Sequence, residues 1–123
     1  MKFKRGILFI LLSFLIFNSI SYAEIKNIKS NEIKRLMSLG IPLIDVRRKD
    51  EWISTGVVKN SYQHTFFDKD GKYYLKGFVD QIKMISNSEK GIILFCRTGR
   101  RTKIIAKMME IKKFINLKIA RLN

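Results

Sequence analysis

The sequence contains few of the residues that build metal centres and disulfides. It has one cysteine, one histidine and one proline among 123 residues. A single cysteine excludes both an intrachain disulfide and a paired-cysteine metal or redox motif. A single histidine leaves no Cys/His zinc set and disfavours a Ser-His-Asp catalytic centre. We therefore expect no metal and no cofactor.

Acidic residues are also scarce. Lys and Arg number 25, Asp and Glu number 10, and the formal net charge is +15. Such an excess suits an anionic ligand, an anionic envelope surface or nucleic acid, although many of these lysines serve to solvate the surface. Apolar residues make up 46% and charged residues 28%, which is typical of a globular domain.

The first residues resemble a targeting segment. Lys2, Lys4 and Arg5 form a basic start, Gly6–Phe17 is an apolar run, and Ser21–Ala23 fits a small-x-small cleavage site. This order is typical of a secretory signal peptide. An uncleaved membrane anchor is the alternative, but the run is shorter than the roughly 17–25 apolar residues of a spanning helix.

We therefore divide the chain into a signal peptide at residues 1–23 and one domain at residues 24–123. The mature protein is expected to be exported and periplasmic. Export argues against nucleic acid as a partner and favours a small anionic substrate. A membrane would be contacted only through an uncleaved signal, and the oligomeric state stays open.

The rest of the chain alternates short apolar runs with amphipathic segments, which is typical of α/β folding. The pattern predicts a small parallel sheet flanked by helices. Gly91–Phe95 is a continuous apolar run that suits a central strand covered on both faces. Strands are expected at 25–28, 43–46, 62–67 and 91–95, and helices at 30–39, around Trp52, at 75–85 and from about 101.

A polar loop with chemical potential follows the central strand. Cys96 stands at the carboxyl end of the strand, where open α/β sheets bind ligands. Its loop contains Gly99 and three arginines and leads into a helix. Backbone N–H groups in such a loop form an anion-binding nest. The helix dipole and the arginines are expected to lower the Cys96 pKa, and the thiolate is the nucleophilic form.

Two sequence blocks resemble the rhodanese-like family. The loop Cys96–Thr102 is similar to the active-site loop of its single-domain members, written C-R-x-G-x-R. Upstream, Leu43–Arg47 with Glu51-Trp52 and Thr55-Gly56 resembles the first block of the family. Residues 59–68 are similar to an exported subgroup. The resemblance extends over about residues 25–109.

The resemblance implies a sulfurtransferase. Cys96 would take the sulfane sulfur of thiosulfate or a similar anionic donor as a persulfide, and cyanide or a thiol would accept it. The loop residues would bind the donor through backbone amides and arginine side chains. They are Arg97, Thr98, Gly99, Arg100 and Arg101. Asp45 and Arg47 would lie near the site, as a structural ion pair rather than as catalysts.

Two other functions use a loop of this kind. A non-catalytic module of the same fold would bind or sense sulfur species or dock to a partner. A cysteine phosphatase uses C-x5-R, whereas Arg101 gives C-x4-R and position 102 is Thr. The shorter loop favours the sulfurtransferase.

The sequence departs from the family pattern at two places. Gly56-Val57-Val58 replaces a turn that usually contains histidine, so we interpret His64 as a strand or loop residue and not as a base. The tail Glu110–Asn123 lacks the usual glycine turn and closing helix. We expect an atypical or truncated C-terminus that forms a helix extension or a short strand, faintly matched by Phe114 and Asn116-Leu117.

Overall fold

The computed structural model describes residues 25–86, 90–111 and 119–122. The predicted signal peptide and the residues Phe114 and Asn116-Leu117 lie outside this described part. The strands are β1 Ile25–Ile28, β2 Leu43–Asp45, β3 Tyr62–Gln63, β4 Ile92–Phe95 and β5 Ile119–Leu122. The helices are α1 Ser30–Ser38, α2 Lys49–Thr55, α3 Leu75–Ile85 and α4 Arg100–Ile111.

The five strands of the described residues pair in parallel, in the order β1-β5-β4-β2-β3. The predicted small parallel sheet flanked by helices is therefore confirmed. The apolar run of β4 takes the middle position, as its composition indicates, and Ile92, Ile93 and Leu94 are fully buried. The predicted strand at 62–67 is shorter in the structure, although His64 and Phe66 still donate backbone hydrogen bonds to Asp45 and Val46.

The two faces of the sheet carry separate cores because alternate strand residues point in opposite directions. Ile44, Leu94 and Cys96 belong to the core that contains buried residues of α3 and α4. Leu43 and Ile93 belong to the core that contains Ile33 of α1. Packing on both faces fixes the central strand and hence the position of the loop that follows it.

The C-terminal part contains both structures that the sequence left open. Helix α4 continues to Ile111, and Ile119–Leu122 forms β5. This strand lies between β1 and β4, with Ile25 and Ile92 both opposite Ile119. The described C-terminal residues thus join the first strand to the centre of the sheet. None of the described helices is long and apolar enough to cross a membrane.

Candidate active site

Cys96 lies at the carboxyl edge of the sheet, directly after β4. Only three residues separate it from the start of α4, so the chain must turn sharply there. Gly99 makes this turn with a φ of 77°, a conformation that favours glycine. Strand, loop and helix therefore follow one another as the sequence pattern predicts.

The thiol is enclosed by its own loop. Cys96 is 2% exposed, and the Gly99 backbone N–H donates a hydrogen bond of 3.2 Å to Sγ. The hydroxyl oxygen of Thr102 lies 3.8 Å from Sγ, and this hydroxyl donates to the Gly99 carbonyl at 2.9 Å. The sulfur thus sits in a small polar cradle within the buried core.

The cradle favours the thiolate. Burial raises the pKa of Cys96, but hydrogen bonds from the Thr102 backbone and hydroxyl and from the Gly99 and Thr98 amides outweigh it, so the net pKa lies below the ordinary value. The expected direction is confirmed. The expected nest of backbone N–H groups supplies most of the favourable contribution, through the Thr102, Gly99 and Thr98 amides.

Thr102 is a site residue that our sequence analysis did not select. It is fully buried, and its hydroxyl links the sulfur to the loop carbonyl of Gly99. A small hydroxyl residue in the first turn of the helix after a Cys-containing loop was the available signal. That signal is weak, since threonine is common in such turns for other reasons.

Arg101 binds Glu51 of α2. Its Nη1 and Nη2 atoms donate to the two carboxylate oxygens at 2.6 and 2.7 Å. The hydrogen bond from Arg101 is the main cause that lowers the pKa of Glu51 to about 2, against the opposing effect of burial. Glu51 also accepts the backbone N–H of Arg48 at 3.0 Å. The predicted donor-binding arginine therefore has a protein partner, and Glu51 joins the site.

Asp45 and Arg47 form a second ion pair at the same edge. Arg47 Nη2 lies 2.7 Å from Asp45 Oδ2 and also donates to the Gly56 carbonyl, while Nη1 donates to the Thr55 hydroxyl. Asp45 is opposite Phe95, the residue before Cys96. This pair connects β2 to the end of α2 beside the active loop.

Arg97 and Arg100 are both exposed. Within the described part of the chain, neither side chain has a hydrogen bond or an ion pair with another residue. Arg97 borders a shallow pocket of about 400 Å³ that includes Arg47, Val57 and Phe95. Their free guanidinium groups make the loop mouth electropositive.

His64 lines a cavity whose lining does not include Cys96. This cavity of about 500 Å³ is also lined by Tyr73 and Tyr74, and the His64 backbone N–H bonds to Asp45. Among the described residues, no group of three or more His, Cys, Asp or Glu side chains is arranged to hold a metal.

Comparison with known proteins places this geometry in a family. The solved structures include a similar chain, reduced CoADR-RHD of Bacillus anthracis, with a TM-score of 0.58 and 24% identity over 80% of the present chain. The match spans only 15% of that longer chain, and at this identity it shows the fold. The search of curated proteins found no match.

The family model for the rhodanese-like domain matches residues 28–120, which include every described strand except the first three residues of β1 and the last two of β5. The matched region also contains the Cys96 loop, Glu51 and the Asp45–Arg47 pair. The chain belongs to the rhodanese-like domain family.

Proposed function

We propose that the protein is a sulfurtransferase that carries sulfane sulfur as a persulfide on Cys96. The observation that carries this proposal is the enclosed thiol, whose pKa is lowered by loop donors. A thiolate that is stabilised at the end of a central strand is suited to nucleophilic attack. The same donors are suited to a negatively charged persulfide.

The first half-reaction transfers the outer sulfur of an anionic donor such as thiosulfate. The Cys96 thiolate attacks that sulfur, a new S–S bond forms to Cys96, and the S–S bond of thiosulfate breaks. Sulfite leaves with the electron pair of the broken bond, and the enzyme retains a persulfide anion. Charge and atoms balance without an oxidant, a metal or a cofactor.

The second half-reaction returns the enzyme to its starting state. Cyanide or a thiolate attacks the terminal persulfide sulfur and leaves as thiocyanate or as a new persulfide, while Cys96 returns to the thiolate. The enclosed cradle suits transfer of a single atom, because only 2% of Cys96 is exposed.

The loop would hold the donor in two ways. The Thr98 and Gly99 amides already point to the sulfur and would stabilise the anionic persulfide. The exposed Arg97 and Arg100 would attract the donor electrostatically. Arg101 would bind the donor directly only if it released Glu51, which accepts hydrogen bonds from both of its Nη atoms.

The test is intact mass spectrometry of the protein before and after incubation with thiosulfate. We expect a gain of one sulfur atom, and we expect Cys96→Ser to show none, because serine has nearly the same shape but is a much weaker nucleophile. A folded wild-type protein that gains no sulfur would contradict the proposal. It would instead favour a non-catalytic rhodanese-like module that binds sulfur species or a partner.

We also propose that the domain is exported to the periplasm. The support is the basic start, apolar run and small-residue site within residues 1–23. The same mass spectrum of protein recovered from the periplasmic fraction tests this proposal. We expect the mass of a chain whose first residue is Glu24. Full-length protein confined to the cytoplasm would overturn the proposal of export.

A further inference from the structure

Arg101 is the only loop arginine whose charge is balanced by a carboxylate in the described structure. The two groups meet in a bidentate pair although they lie 50 residues apart in the chain. Their side chains are 21% and 18% exposed, so solvent screens the pair only partly. Arg97 and Arg100 have no comparable partner among the described residues.

The guanidinium of Arg101 also lies close enough to the sulfur to be affected by it. The pKa of Arg101 is raised first by its hydrogen bond to Glu51, then lowered by burial, with further increases from the Glu51 charge and from Cys96. Arg101 thus interacts with both the Glu51 carboxylate and Cys96. A change of charge at Glu51 therefore alters the electrostatic interaction of Arg101 with Cys96.

An anion that approaches Cys96 therefore meets an arginine with a partner already in place. The fork of an arginine matches one carboxylate or oxyanion at a time in the bidentate geometry. Glu51 fills that geometry at 2.6 and 2.7 Å and contributes a full negative charge beside the loop. The remaining donors that face the sulfur are neutral backbone amides, such as that of Gly99.

We propose that Glu51 determines how strongly the Cys96 site selects for negatively charged reactants, because it neutralises Arg101. With Arg101 neutralised, the anion is bound by the loop amides and not by a free guanidinium. Glu51 is a specificity-determining residue in this view. The identification of the anion as a sulfur donor rests on the proposed function, but the charge selectivity itself does not.

Alkylation of Cys96 measures this selectivity without any sulfur transfer. Iodoacetate and iodoacetamide react by the same displacement of iodide, and they differ in charge. Because the protein has one cysteine, each rate reports only this site. The ratio of the two rate constants cancels any change in the fraction of thiolate, which affects both reagents equally.

The main variant is Glu51→Gln, which keeps the size of the side chain and removes its charge. We expect the ratio of the iodoacetate to the iodoacetamide rate to rise roughly 3- to 10-fold, as for a unit charge removed several ångströms from the reacting group. The increase should shrink at high salt. For sulfur transfer, the KM for thiosulfate should fall with a smaller change in kcat.

Two variants serve as controls. Asp80→Asn removes the same charge from an exposed pair on α3, with Lys76, and should leave the ratio unchanged. Glu51→Asp keeps the charge and shortens the side chain, so its ratio should stay near that of the wild type. A Glu51→Asp ratio as high as that of Glu51→Gln would show that geometry decides, and would overturn the proposal.

A second variant tests the proposal if Glu51→Gln does not fold. Arg101→Gln leaves the Glu51 charge unopposed and should lower the ratio below the wild-type value. Equal changes in both rates, in either variant, would indicate a purely structural role and reject charge selection. A shifted ratio without persulfide formation would overturn only the proposed function, whereas persulfide formation with an unchanged ratio would overturn only this inference.

Discussion

The Asp45–Arg47 and Glu51–Arg101 pairs both lie at the carboxyl edge of the sheet, and they differ in what surrounds them. Asp45 and Arg47 have side chains that are 1% and 7% exposed, and they stand two residues apart in the chain. Glu51 and Arg101 are less buried and come from two different helices. The first pair is enclosed by the protein, and the second borders the thiol.

The difference lies in how many partners each arginine has. Arg47 donates to Asp45, to the Thr55 hydroxyl and to the Gly56 carbonyl, and it stacks over Phe95 at 5.1 Å from the ring centre. It is therefore part of the architecture. Arg101 has one carboxylate partner, so a change at Glu51 alters its charge balance, and Glu51 has one further bond, from the Arg48 backbone N–H.

The largest expected effect is on the buried pair. Asp45→Ala should destabilise the domain by about 3–5 kcal/mol, because it leaves the Arg47 charge buried and unpaired. Chemical denaturation followed by the fluorescence of the single tryptophan, Trp52, measures this loss. Asp80→Ala on the exposed surface is the control and should cost less than about 1 kcal/mol. Equal losses would erase the distinction between buried and exposed pairs.

The partly exposed pair should contribute less to stability. Glu51→Gln should lower the free energy of unfolding by about 1–2 kcal/mol, since water can partly solvate Arg101 after the charge is lost. The same denaturation experiment gives the value. A loss as large as that of Asp45→Ala would mean that Glu51 also belongs to the architecture.

The next prediction concerns Thr102, whose hydroxyl lies beside the thiol. Thr102→Val keeps the shape but removes the hydroxyl, which should cost about 0.5–1.5 kcal/mol of stability. The alkylation rate of Cys96 rises with pH as the thiolate forms, and its midpoint should move to higher pH because one stabilising donor is lost. Thr102→Ser should retain the wild-type midpoint. An unchanged midpoint in the valine variant would show that the Thr102 hydroxyl does not stabilise the thiolate.

The last prediction concerns stability in acid. The pKa of Glu51 falls from 4.5 to about 2 on folding, so its contribution to stability is complete above pH 4.5 and is lost as the pH falls towards 2. The stability difference between wild type and Glu51→Gln should therefore shrink over this range. Denaturation at several pH values measures the difference, and a constant difference would contradict the lowered pKa.

Much of the fold could be predicted because its signals are local. The apolar run before Cys96 indicated a central strand, and the glycine at position 99 indicated a sharp turn before a helix. Both are properties of a few neighbouring residues, as is the Asp45–Arg47 pair. The place of β5 between β1 and β4 was not predictable in the same way, because strand order depends on packing between distant segments.

The Cys96 loop shows the same division within a single candidate site. Local sequence was enough to identify Cys96 as the candidate nucleophile, to place it at the sheet edge and to show the three arginines of its loop. Only the folded chain shows which arginine is neutralised, because Glu51 of α2 and Arg101 of the loop are 50 residues apart in the sequence. It also shows that Thr102 faces the sulfur. Periodicity and turn chemistry act over a few residues, whereas the choice among chemically equal arginines depends on distances that exist only after folding.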